Sequence, residues 1–158
     1  MKTSTEQIEE IKDKTIITVR PSAVNTNTAS IAGNQTKIPV EQFQKSGNKL
    51  SISENGIKIG KGVSIIAVSA NMNIQNVESK AGIRRLQIVK NNEIISNVTT
   101  YVENVATYTS LVQSKILLEV QENDIIYLAH SSATVGDVVA RGYTGTIGAT
   151  FMTVETVC

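Results

Sequence analysis

The longest regular pattern in the chain lies between residues 63 and 75, where Ile66, Val68, Ala70, Met72 and Ile74 share one parity and Ser69, Asn71, Asn73 and Gln75 share the other. A period of two is that of a β-strand with one face in a core and the other face wetter. Residues 85–90 and 93–96 flank Asn91-Asn92, and asparagine tolerates the positive φ of a tight turn, so this stretch predicts a hairpin. Residues 114–120 alternate with Ile116, Leu118 and Val120 on one face, and a turn at 121–124 leads into the apolar run 125–129. Residues 135–141 and 147–157 predict the last two strands, joined by a loop whose Gly142 and Gly145 suit tight or mobile backbone. No convincing helical period follows Ile38, so the pattern predicts a sandwich or a barrel.

The start of the chain differs. Thr3 and Glu6 have the spacing of a capping box, and Ile8 with Ile11 would set two apolar groups on one face of a short helix. The β-branched run 15–19 predicts one strand, ended where Pro21 removes a ladder donor. Residues 21–36 are small and polar with almost no charge, the composition of a linker. The expected division is therefore an N-terminal helix, strand and linker over 1–36, suited to docking, and an all-β head domain over 37–158.

Composition supports the β assignment. In a chain of 158 residues, Ile, Val and Thr number 20, 17 and 17, whereas Phe and Tyr total six and Trp is absent. Fifteen basic and fourteen acidic side chains leave a net charge of +1, too weak a field to gather nucleic acid or an anionic membrane surface. The single cysteine, Cys158, excludes an internal disulfide, so packing or oligomerisation must supply stability. No secretory signal and no membrane-inserting span is visible in the sequence.

The chemistry-bearing residues do not form an active site by spacing. His130 is the only histidine, and its neighbour Ser131 would point to the opposite face of a strand; no G-x-S-x-G elbow occurs. A histidine there is expected in a loop or an interface, and three copies about a threefold axis would be needed for it to chelate a metal. Asp124 belongs to a turn rather than a calcium loop, and the glycines of residues 56–62 lack the Ser or Thr of a phosphate-binding loop. Arg84-Arg85 is an adjacent basic pair without interleaved aromatics, expected in a solvated turn. No enzyme, cofactor or resident metal is expected.

Three segments in order carry a family resemblance over about residues 43–157. Ile52-Ser53-Glu54-Asn55-Gly56 with residues 62–74 is similar to the glycine-led start of the long central strand in the jelly-roll domain shared by complement C1q and tumour necrosis factor. Residues 117–128, with Asp124 after the turn, resemble that family's strand, Gly-Asp turn and next strand, although Asn123 stands where the family has glycine. Gly148-Ala149-Thr150-Phe151-Met152 resembles its terminal strand, without the glycine that commonly follows the phenylalanine. The short, aromatic-poor versions in bacteriophage and bacterial spore-surface proteins are the most similar.

The resemblance implies a two-sheet antiparallel jelly roll that packs as a homotrimer with one sheet facing inward. Residues 63–67 and 125–128 are apolar on both faces, which agrees with a second buried surface. Tyr127 and Phe151 are then candidates for the subunit contact, and Tyr101, Tyr108 and Tyr143, in loop-like stretches, for stacking on a host-surface glycan or contacting a host protein. The expected function is a non-enzymatic attachment protein on a virion, in a phage tail, baseplate or head fibre, whose N-terminal segment binds other particle proteins. The alternative is a secreted or spore-surface C1q-like module that recognises a cell-surface protein or glycan.

Overall fold

In the computed structural model, the described residues are 3–5, 13–27, 34–76, 80–103, 108–133, 137–141 and 149–158. Thirteen strands run through them: β1 (Ile16–Pro21), β2 (Asn25–Asn27), β3 (Gln35–Lys37), β4 (Val40–Ser46), β5 (Leu50–Ser53), β6 (Gly56–Ile59), β7 (Ile65–Asn76), β8 (Gly82–Lys90), β9 (Glu93–Val102), β10 (Tyr108–Glu119), β11 (Ile125–Ser132), β12 (Asp137–Ala140) and β13 (Phe151–Thr156). They form two antiparallel sheets. Sheet I has the order β2-β12-β7-β13-β1-β4, with β10 on the other edge of β7. Sheet II has the order β5-β6-β11-β8-β9, with β3 beside β6 on the same edge of β11. No helix among the described residues is long and apolar enough to cross a membrane.

The alternation in β7 places Ile66, Val68, Ala70, Met72 and Ile74 at 0–2% exposure, as its sequence predicts. They meet Leu86 and Ile88 of β8 and Ile126 and Leu128 of β11 in one apolar core between the sheets. The hairpin expected at Asn91-Asn92 joins β8 to β9, with Asn91 at φ 57°. Asn123 likewise takes φ 73° where the resembled family has glycine, which explains how the turn before β11 tolerates the change. Glu54 and Asn55, both at positive φ, turn β5 into β6.

The boundary expected after residue 36 does not coincide with a gap in the fold. β1 lies inside sheet I, pairing Ile16–Val19 with β13 and Ile16–Pro21 with β4. The linker composition of residues 21–36 hides two short strands, β2 on β12 and β3 on β11, whose three-residue length gives no readable period. Pro21 ends β1 as its missing donor requires, and the Ser22 N–H instead donates to the Pro39 carbonyl at 2.9 Å. The helix expected between Thr3 and Asp13 falls mostly outside the described residues, as do residues 28–33 of the expected linker.

Candidate functional site

Sheet I has one face in the core and one face open. Because β7 alternates, its open face carries Ile65, Ala67, Ser69, Asn71, Asn73 and Gln75. The strand registers extend that face sideways. Val112 of β10 and Phe151 of β13 both lie opposite Asn71, and Leu117 of β10 and Glu155 of β13 both lie opposite Ala67. Glu155 in turn faces Ile16 of β1. Two rows of side chains thus cross the sheet, and their apolar members concentrate on the β10 edge.

That edge is exposed: Leu117 is 70% accessible, Val112 62% and Tyr108 58%. A β-bulge between Gln113 and Ile116 resets the register of β10, so that Leu111, Ile116 and Leu118 turn inward while Val112 and Leu117 stay outside. The rest of the open face is tied by polar pairs. The hydroxyls of Thr18 and Thr153 lie 2.9 Å apart. Arg20 and Arg141 both donate to Glu41 Oε1, at 2.8 and 3.1 Å, and the Arg20 guanidinium sits 4.8 Å from the centroid of the exposed Phe43 ring. Glu155 accepts a hydrogen bond from Lys115 and pairs with Lys14 at 3.3 Å; the Lys115 bond leads the effects that hold its carboxyl below the usual range, against the opposing effect of burial.

The expected site residues divide between the two faces. Phe151 lies on the open face of sheet I, half-buried beside Asn71. Tyr127 lies in sheet II, where it packs with Val89 and Ala129 and the Lys37 ammonium sits 4.2 Å from the ring centroid; burial pushes its phenol up. Tyr101 of β9 is 66% exposed and, alternating with buried Val102, points away from the core on the sheet II side. Tyr108 points outward from sheet I. The two tyrosines bracket the β9–β10 connection from opposite sides. Tyr143 lies outside the described residues.

Two expectations are corrected. His130, expected in a loop or an interface, is fully buried within the single chain in β11, with Nδ1 2.9 Å from the Arg85 carbonyl oxygen and Nε2 3.4 Å from Asp137 Oδ2. Both ring nitrogens therefore face oxygen atoms of other strands. Arg84 is not in a solvated turn. Adjacent strand positions face opposite ways, so β8 sends Arg84 into the interior at 0% exposure while Arg85 stays at the surface layer.

Inside, Arg84 forks onto Asp137 of β12, with Nε 2.7 Å from Oδ2 and Nη2 donating to Oδ1 at 3.1 Å. The same Nη2 donates to Asn76 Oδ1 at 3.1 Å and to the Lys80 carbonyl at 2.7 Å. Burial alone would raise Asp137, but hydrogen bonds from His130 and Arg84, with the charge of Arg84, bring its carboxyl below the ordinary value. Sequence spacing offered little help, because Arg84 and Asp137 are 53 residues apart. Among the described residues, no group of three or more His, Cys, Asp or Glu side chains is placed to hold a metal.

The sequence matches no protein-family model and no curated protein sequence. Solved structures do share the architecture. Murine APRIL at pH 8.0 superposes with a TM-score of 0.67 at 11% identity, covering 91% of this chain and 99% of that one. The Eiger TNF of S. frugiperda gives 0.60 at 8% identity over 90% and 92%. The PRD1 vertex protein P5 gives 0.57 at 12% identity over 90% of this chain and 72% of its own. The fold is a TNF-like jelly-roll sandwich.

Proposed function

We propose that this chain is a non-enzymatic attachment head, a trimeric bacteriophage virion component of the tail, baseplate or head-fibre type. The observation that carries the reading is the open face of sheet I, where Leu117, Val112 and Tyr108 stand exposed on one edge and Ile16 and Phe151 lie farther across the sheet. An edge strand that leaves large apolar groups in water invites a partner, and a second copy offers matching groups on its own sheet. A closed ring of such edge-on-face contacts has no free ends, which favours a cyclic assembly. The shared architecture of the PRD1 vertex protein P5 supports placement on a particle.

Polarity along the sandwich supports an attachment role. The chain enters sheet I at Ile16, beside Thr156 and Ser46. Twelve-residue β7 then spans from this end, at Ile65, to Asn76, about 35 Å away at 3.3 Å per residue. Tyr108 pairs with Gln75 and Tyr101 with Ile83, so both exposed tyrosines sit at the far end. If the segment before Ile16 docks on the particle, that end faces outward, where tyrosines suit a glycan or protein surface and threefold repetition multiplies weak contacts.

The second reading, a secreted or spore-surface recognition module, is favoured by the higher overlap with APRIL and Eiger than with P5. Labelling purified virions and spores from the producing strain with an antibody to residues 37–158 separates the two. The phage reading expects regular labelling of virions and blocked adsorption; label on spores or in cell-free medium, with none on virions, overturns it.

A further inference from the structure

The net charge of +1 is spread unevenly over the two sheets. Ile57, Leu86, Ile88, Ile126 and Leu128 of sheet II are buried against sheet I, so the residues that alternate with them form an outer face. Among the described residues, the charged groups at outer strand positions are all cations: Lys58 of β6, Lys37 of β3 and Arg85 of β8. Lys37 is exposed, and Lys58 and Arg85 are part-exposed. The outer positions of β5, β9 and β11 carry no charge.

The carboxylates that pair with cations lie elsewhere among the described residues. Glu41 and Glu155 serve the open face of sheet I, Asp137 is interior, and Asp13 precedes β1. Glu54, in the β5–β6 turn, offers Lys37 its backbone carbonyl at 3.3 Å rather than its carboxylate. The Lys37 ammonium also rests 4.2 Å from the centroid of the Tyr127 ring, which holds this cation across the face. A row of cations without paired carboxylates attracts an anion.

The strand registers set the spacing of the row. Lys58 lies opposite Ile125 and Lys37 opposite Ala129 on the same edge of β11, about 13 Å apart at about 3.3 Å per residue. Arg85 lies opposite Ser131 on the other edge, so two residues along and two strand spacings across put it about 12 Å from Lys37. Tyr101, 66% exposed, lies opposite Ile83 and continues the same diagonal about 8 Å beyond Arg85. A nucleic acid strand carries a phosphate about every 3.4 Å, far denser than this row. Ser51 beside Lys58, Gln35 beside Lys37 and Thr99 beside Arg85 add hydroxyl and amide groups between the charges.

We propose that the outer face of sheet II binds an acidic polysaccharide, a chain with carboxylates on alternate sugars, running from Lys58 past Lys37 and Arg85 to Tyr101. Its sparse carboxylates meet the three cations, its hydroxyls meet the side chains between them, and one sugar stacks on the Tyr101 ring. The proposal goes beyond attachment by naming the ligand's chemistry and the face that takes it. It rests on the single chain and needs neither a trimer nor a particle, and assembly through sheet I leaves this face turned outward.

Calorimetric titration of the full chain with hyaluronate fragments at low salt tests this, with neutral dextran, an oligothymidylate and anionic phospholipid vesicles as the other probes. Saturable binding of hyaluronate is expected, weakening as salt screens the charges, and dextran should bind far more weakly. Lys37→Gln/Lys58→Gln/Arg85→Gln should bind hyaluronate about a hundredfold more weakly while keeping the parent's circular dichroism. Tyr101→Ala should lose up to about tenfold, and Glu54→Gln, which removes the carboxylate beside Lys37, should bind more tightly. Should the triple variant not fold, Lys58→Gln and Arg85→Gln singly should each lose about fivefold. No binding of hyaluronate, equal or tighter binding of the oligothymidylate or the vesicles, or cation variants that bind as the parent does, overturns the proposal. Binding is read whatever the oligomeric state, so a monomer that takes hyaluronate keeps this site and loses only the trimer.

Discussion

Replacing Leu117 by aspartate separates the stability of one head from its assembly. In the single chain Leu117 is 70% exposed on the edge strand β10, so the change costs the fold about 1 kcal/mol or less through strand propensity. At a subunit contact the cost is larger. Full burial of a leucine is worth about 1.5–3 kcal/mol, and with most of the side chain still in water before association, about 1–2 kcal/mol per copy is forfeited. Three contacts around a ring give about 3–6 kcal/mol, a factor of about 10²–10⁴ in the trimer constant, and burying an unpaired carboxylate adds to it. Sedimentation velocity between 0.1 and 50 μM, chosen as roughly the range that brackets such a shift, should show Leu117→Asp dissociating where the parent does not. Its thermal unfolding as a monomer should stay cooperative. A variant with the same trimer constant as the parent would refute the placement of β10 at the contact.

Ile66→Ala should lower stability by about 2–5 kcal/mol in urea unfolding, because the side chain is fully enclosed between the sheets; a loss under 1 kcal/mol would mean the core is looser than described. Asn91→Ala should cost about 1–3 kcal/mol, since it strains a residue at φ 57° and removes both the bond to Asp124 Oδ1 and the one from the Ile125 N–H, whereas Asn55→Gly should be neutral or stabilising. The pH dependence has a fixed sign. Asp137 lies below its unfolded value when folded, so its contribution is present above about pH 4 and is lost as pH falls through the lower, folded value. Melting temperature should therefore drop on acidification, and the drop should shrink in Arg84→Met/His130→Leu/Asp137→Leu.

Much of the fold was legible because its strands obey simple parity. β7, the β8–β9 hairpin and the β10–β11 turn follow from alternation and from asparagine at positive φ. The first half of β10 was not legible: the bulge between Gln113 and Ile116 shifts parity, so Leu111 and Ile116, five positions apart, both reach the core. β2 and β3 were hidden because three polar residues on a sheet edge need no apolar pattern. The interior cluster was invisible for a different reason. Arginine, histidine and aspartate are assigned to the surface by type, and only the pairing of distant strands brings Arg84, His130 and Asp137 together to offset their burial. The exposure of Leu117, by contrast, is a fact of the surface that its strand pattern could not distinguish from burial.

Light scattering coupled to size exclusion, on the full chain at about 10 μM where a moderately tight trimer stays assembled, tests the assembly most directly. Three copies of a 17.0 kDa chain give about 51 kDa, the expected mass. A particle of 17.0 kDa at that concentration would contradict the trimer and leave the open face of sheet I without its partner.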